Sequence, residues 1–183
     1  MVIRSKQRLK ISKPFNIVLV NPEIPPNTGN IARLCAATNT KLHLVHPLGF
    51  EITDKHLKRA GLDYWHLLDI EEYESWNEFY ETNCPVADTP VRRLVSFWYI
   101  STRGEKNIWD VDFNPGDFFI FGSETKGLSE EILNKPENKD FVISIPMNGL
   151  TRSINLSTAA GVVLYEGLRQ LTAKKNICEI LPI

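Results

Sequence analysis

Five short runs rich in β-branched and aromatic residues set the strongest limit on how this chain can fold: residues 16–21 (N-I-V-L-V-N), 41–45 (K-L-H-L-V), 94–100, 118–121 (F-F-I-F) and 141–145. Near-continuous apolar runs of this length are the mark of parallel strands buried on both faces. Stretches with helical character lie between them. After a Pro/Asn/Gly loop, residues 28–38 carry Ile31, Leu34, Cys35 and Thr38 at i, i+3, i+4 and i+7, one buried stripe. Thr53 can cap a helix over 54–60 with Gly61 behind it, a further helix is expected over 73–81, and 85–90 is read as loop. Ser129 opens a short helix with Glu130 and Glu131 in its first turn, and 155–171 is the longest helix. Strands alternating with helices predict an α/β domain with a mostly parallel sheet and helices on both faces. It is placed over 15–183, behind a basic N-terminal tail over 1–14.

Bulk properties narrow the function classes. The 43% hydrophobic and 23% charged fractions are ordinary for a globular chain. No segment approaches the ~20 apolar residues of a membrane span, and the start M-V-I-R-S-K-Q-R-L-K lacks a signal peptide's apolar region. The cytoplasm is therefore the expected location, with no membrane partner. Cys35, Cys84 and Cys178 are odd in number and far apart, which argues against a disulfide framework and against a metal site. Cys35, on an apolar stripe, reads as a buried thiol. The net charge of −1 does not itself point to a nucleic acid, but residues 1–13 hold Arg4, Lys6, Arg8, Lys10 and Lys13 with no acid, whereas Glu71 to Glu81 is strongly acidic.

In parallel sheets ligands sit beyond the carboxyl ends of strands, and three strand-to-helix loops are unusual. The first is N-P-E-I-P-P-N-T-G-N-I-A-R, residues 21–33, with three prolines, Asn27 at the loop-to-helix junction, Gly29 permitting a sharp turn or a close backbone approach and Arg33 off the buried stripe. The second is F-G-S-E-T-K-G-L-S, residues 121–129; Leu128 stands where a Walker motif needs Lys, and no G-x-G-x-x-G supports a dinucleotide site. The third is I-P-M-N-G-L-T-R-S-I-N-L-S, residues 145–157, where Ser153, Asn155 and Ser157 can cap the last helix. Taken singly, each loop has an adequate structural explanation as a cap, a turn or a solvated charge.

Together, N-T-G-N-I-x-R, F-G-S-E-x-x-G-L and I-P-M-x-x-x-x-R-S-x-N-L-S resemble in order and spacing the three motifs of the SPOUT methyltransferases, over residues 16–171. H-L-K-R-A-G-L-D-Y (56–64) and Y-E-G-L-R-Q (165–170) are similar to the subgroup that 2′-O-methylates the wobble nucleotide of tRNA, cytidine or a modified uridine. The resemblance implies a Rossmann-like sheet whose C-terminal part is tied into a deep trefoil knot, against the usual avoidance of knots. It implies S-adenosylmethionine as cofactor, S-adenosylhomocysteine as product, no metal, and a homodimer. Carried over by motif, Ile100, Gly122, Ile145 and Ser153 would hold the cofactor, and Asn27, Arg33, Glu124, Ser153 and Asn155 would line the reaction centre.

A tRNA substrate gives the basic residues a purpose. Lys55, Lys58, Arg59 and Arg152 become candidates for phosphate contacts, and Tyr64 for stacking on an unpaired base. No DNA partner is expected. Two other readings stay open on the sequence: 2′-O-methylation of another tRNA position or of ribosomal RNA, and a non-catalytic α/β RNA-binding module. The small residues Ala159, Ala160, Gly161 and Gly167 of the last helix suit either packing inside the chain or a subunit contact.

Overall fold

The computed structural model describes residues 7–11, 15–51, 69–84, 95–174 and 178–182. The predicted strands are there: β2 (Asn16–Val20), β3 (Lys41–Val45), β5 (Phe97–Ile100), β7 (Phe118–Phe121) and β8 (Val142–Ser144). Two more complete the sheet, β4 (Ile70–Tyr73) and β6 (Lys106–Asn107). All seven are parallel, in the order β4-β3-β2-β7-β5-β8-β6. The two that the sequence hid lie at the two edges. An edge strand needs no continuous apolar run, and I-E-E-Y and K-N carry none.

Alternate residues of the central strands face opposite ways and are buried on both sides. Ile17, Leu19, Phe119 and Phe121 join one apolar cluster, and Val18, Val20, Phe118 and Ile120 join the other. The first cluster is closed by α1 (Pro25–Thr38) and α4 (Leu156–Ala173), through Ile31, Cys35, Ala160, Val163, Leu164 and Leu168. The second is closed by α2 (Trp76–Asn83) and α3 (Glu130–Leu133), through Phe79, Ile132 and Leu133. Burial pushes the Cys35 thiol up to about 12, so it is an inert core group.

Three sequence expectations change. Helix α1 begins at Pro25, not Thr28, because a proline in the first turn has no N–H to leave unpaired and already holds the helical φ. Asn27 and Gly29 are thus inside the helix: Asn27 is not the N-cap, and Gly29 makes no turn. Residues 7–11, read as part of the basic tail, form strand β1 (Gln7–Ile11), paired antiparallel with β9 (Cys178–Pro182). That pairing joins the two ends of the chain, which no local pattern announces. The small residues of α4 serve internal packing: Ala160 is fully buried, and a Cβ on Gly167 would meet the Phe15 ring at 2.9 Å. The helix expected over 54–60, the loop over 85–90 and the candidates Lys55, Lys58, Arg59 and Tyr64 lie outside the described residues.

Candidate active site

At the carboxyl end of the sheet, three loops are drawn into one wall by side-chain hydrogen bonds. The N-terminus of α1 lacks a cap of its own, since Ile24 holds the N-cap position and makes no side-chain bond. Glu124, from the loop after β7 and about 100 residues away, instead holds the two residues that lead into the helix. Its carboxylate accepts from Glu23 N at 2.7 Å, Ile24 N at 3.2 Å and Asn27 Nδ2 at 2.9 Å. A carboxylate at a helix N-terminus is also favoured by the helix dipole. Asn27 is buried, and its Oδ1 accepts from Asn155 Nδ2 at 2.9 Å. Asn155 in turn is the N-cap of α4, its Oδ1 accepting from Ser157 N at 2.9 Å and Thr158 N at 3.3 Å. The chain Glu124–Asn27–Asn155 therefore links all three motif loops. A further bond, from Thr125 Oγ1 to Glu23 Oε1 at 2.9 Å, was not legible in the sequence.

The loop after β7 is a rigid unit. Ser123 bridges to Gly127, which has φ +70°, and a Cβ on Gly122 would lie 2.0 Å from the Gly127 carbonyl carbon. The loop after β5 is pressed just as closely on β8, where a Cβ on Gly104 would lie 2.4 Å from the Ile143 carbonyl carbon. Between these loops and the loop after β8 opens a cavity of about 510 Å³. Its lining includes Ile100, Gly122, Ile145 and Ser153, the expected cofactor residues, together with Asn27, Glu124, Arg152 and Asn155. Phe121, Leu128, Leu133 and Leu156 give it an apolar side, while the loops give a polar one. This is the size and mixed lining of a small-molecule site.

Arg33 does not line this cavity. It is exposed, six residues or about one and two-thirds turns of α1 beyond Asn27, and so on a different side of the helix. Arg103 and Lys126 do line it, and the sequence reading missed both. Their only signal was a place in a loop that leaves the carboxyl end of a strand. A second cleft of about 630 Å³ lies on the other side of the 122–127 loop, but no residue of the 145–155 loop reaches it. The cavity that gathers all three motifs is the better candidate.

Comparison with known proteins agrees with the geometry. Residues 14–165 match the SpoU rRNA methylase family. The chain belongs to that family. Among the most similar relatives is the tRNA (cytidine(34)-2′-O)-methyltransferase of Saccharophagus degradans, 48% identical over 86% of this chain and 96% of its own length. The enzyme of the same name from Methylovorus glucosotrophus is 48% identical over 85% of this chain and 95% of its own. A solved structure concerned with the 2-OH methylation of C/U34 on tRNA superimposes with a TM-score of 0.77 at 42% identity, covering 88% of this chain and 98% of that one. The SpoU methyltransferase AviRb from Streptomyces viridochromogenes, in complex with AdoMet, shares the fold at 24% identity and a TM-score of 0.69.

Proposed function

We propose that this protein methylates the ribose 2′-hydroxyl of tRNA nucleotide 34, using S-adenosylmethionine and releasing S-adenosylhomocysteine. The observation that carries the reading is the Glu124–Asn27–Asn155 chain around the cavity, in a sequence 48% identical to an enzyme of that name along nearly its whole length. The cavity suits the cofactor, which has a flat aromatic adenine with hydrogen-bonding edges and a polar amino-acid end. In this assignment the main chains at Ile100, Gly122 and Ile145 hold adenine by donors and acceptors, and Ser153 holds the polar part. Bound there, S-adenosylmethionine supplies an electrophilic methyl group.

The protein's own part is alignment and charge. Glu124 and Asn27 keep the cofactor loop fixed against α1, so that a ribose entering beside Asn155 meets the methyl group in line. Arg33, which stands outside the cavity of its own chain, is assigned to reach the partner subunit's cavity in the proposed dimer, where it stabilises the negative charge that grows on the attacking oxygen or pins a neighbouring phosphate. It is not a general base, because a guanidinium stays protonated in proteins. Arg152, Lys55, Lys58, Arg59 and Tyr64 are assigned to RNA. The trefoil knot, a cytoplasmic location and a homodimer belong to the same proposal. For the dimer, the support is the outward face of α4, where Val162 and Tyr165 are 40% and 53% exposed.

The decisive experiment maps 2′-O-methylation across all tRNAs and ribosomal RNA in cells with and without the gene, alongside calorimetry with S-adenosylmethionine. Loss of the mark at nucleotide 34 alone is expected. Loss elsewhere would move the target, and failure to bind S-adenosylmethionine would leave a non-catalytic RNA-binding protein.

A further inference from the structure

The charged residues around the cofactor cavity do not match the charge of the cofactor. Three cations line it, one from each loop: Arg103 after β5, Lys126 after β7 and Arg152 after β8. Among the described residues the only carboxylate in the lining is Glu124, which is already taken up by Glu23 N, Ile24 N and Asn27 Nδ2. S-adenosylmethionine has a sulfonium, an ammonium and one carboxylate, so it is a net cation with a single anionic group to set against a rim of three cations. The chain as a whole has a net charge of only −1, so the excess is local.

All three cations are at the surface. Among the described residues neither Lys126 nor Arg152 forms an ion pair. Arg103 reaches Glu130 Oε1 at 3.1 Å, with the two side chains 61% and 72% exposed. An exposed pair of this kind holds weakly, and a phosphate offers the guanidinium a better-matched partner.

We infer that Arg103, Lys126 and Arg152 form a phosphate clamp that grips the RNA backbone on either side of the target ribose, with Glu130 as the counter-ion that Arg103 leaves when RNA binds. The inference rests on the tRNA reading above and adds residues and a ligand chemistry to it. Because each cation stands on a loop of the cofactor cavity, RNA held by all three closes over the cofactor and brings the ribose to the cavity mouth. The ligand is the sugar–phosphate backbone, not a base, since each member of the clamp is a cation directed at charge.

The test uses the full-length enzyme and a tRNA transcript, with Arg103→Ala, Lys126→Ala, Arg152→Ala and the triple variant. Each single change is expected to weaken tRNA binding several-fold, and the triple change about 100-fold. The slope of log affinity against log salt should become shallower by about 2, as expected for three single-strand phosphate contacts. Affinity for S-adenosylmethionine, read by calorimetry, should be unchanged. Glu130→Gln should tighten tRNA binding about twofold, a gain that loss of a merely structural ion pair would not produce. A triple variant with wild-type tRNA affinity and salt slope overturns the inference, as does a parallel loss of cofactor affinity, which would give the rim to the cofactor. These affinities are read whichever nucleotide is methylated, so failure of the clamp and failure of the position-34 assignment are separate results.

Discussion

Asn155 donates a hydrogen bond to Asn27 at 2.9 Å across 128 residues of chain, and both side chains serve second purposes. Asn155 caps α4 with its oxygen while its amide nitrogen holds Asn27. Asn27 uses its nitrogen on Glu124 and its oxygen on Asn155, which leaves one possible amide orientation. The ends of α1 and α4 are therefore set by the groups that wall the cavity, so the stability of the helix ends and the shape of the cavity share a cause.

Asn27→Ala should reveal that link. It removes one donor from Glu124 and releases the Asn155 amide to water, at a cost of about 1 kcal/mol. Asn27→Asp should be worse than alanine, because it sets a second carboxylate where the first now accepts at 2.9 Å. Thermal melts and kcat, measured on both variants, should fall together and in that order.

Gly122 and Gly127 lie in the same loop but should tolerate alanine very differently. At Gly122 the new methyl group would overlap backbone atoms at 2.0–2.3 Å, which can be relieved only by moving the loop. Gly127→Ala meets open space, and its only penalty is the left-handed φ of +70°, about 1 kcal/mol. Urea denaturation and cofactor binding should show Gly122→Ala as the damaging change in both.

A pH effect on stability should come from His43. The ring is buried, its Nε2 3.2 Å from Asn16 Oδ1 and its Nδ1 3.1 Å from the Tyr73 hydroxyl. Burial lowers its pKa to about 4, with the Lys41 charge acting in the same direction and Glu71 opposing. The native state therefore binds fewer protons than the unfolded one between pH 4 and about 6.5. Stability contributed by the neutral ring is complete above that window and is lost as pH falls through it, by about 3 kcal/mol in all. His43→Gln should flatten the stability curve in this window, as read by urea denaturation at a series of pH values.

Arg33 can be tested apart from binding. Arg33→Ala should depress single-turnover methylation at saturating tRNA and cofactor by 10-fold or more (about 1.4 kcal/mol) while leaving cofactor affinity unchanged. Partial rescue by Arg33→Lys would show that charge suffices, and no rescue that the planar fork is needed. Near-normal rates in the alanine variant would return Arg33 to a surface arginine.

The face of α4 that carries Val162 and Tyr165 should be a subunit contact. Sedimentation at micromolar concentration is expected to show a dimer for the wild type and a monomer for Val162→Glu combined with Tyr165→Glu. A monomeric, fully active wild type would remove the dimer from the proposal.

Much of this molecule was legible from residue patterns, and what was legible has a common character. Runs such as F-F-I-F and the Ile31–Cys35 stripe are local signals: burial on both faces demands apolar residues at consecutive positions or at helical spacing, so the strands and helices of the core announce themselves. That Ser153, Asn155 or Ser157 caps the last helix is a local signal too, from which the structure selects Asn155. The three motif loops were found by their order and spacing, which the amino-acid sequence carries in full. Edge strands β4 and β6 escaped because a strand with one free side need not be apolar, and β1 with β9 because a pairing between chain ends leaves no mark in either segment. Tertiary structure alone decided that Glu124 holds the entry to a helix 100 residues away, that Asn27 is a link and not a cap, and that Gly167 makes room for Phe15. It also brought Arg103, Lys126 and Arg152 to one cavity. Each of these depends on the distance between atoms far apart in the chain, and a linear pattern records which groups are present but not which of them meet.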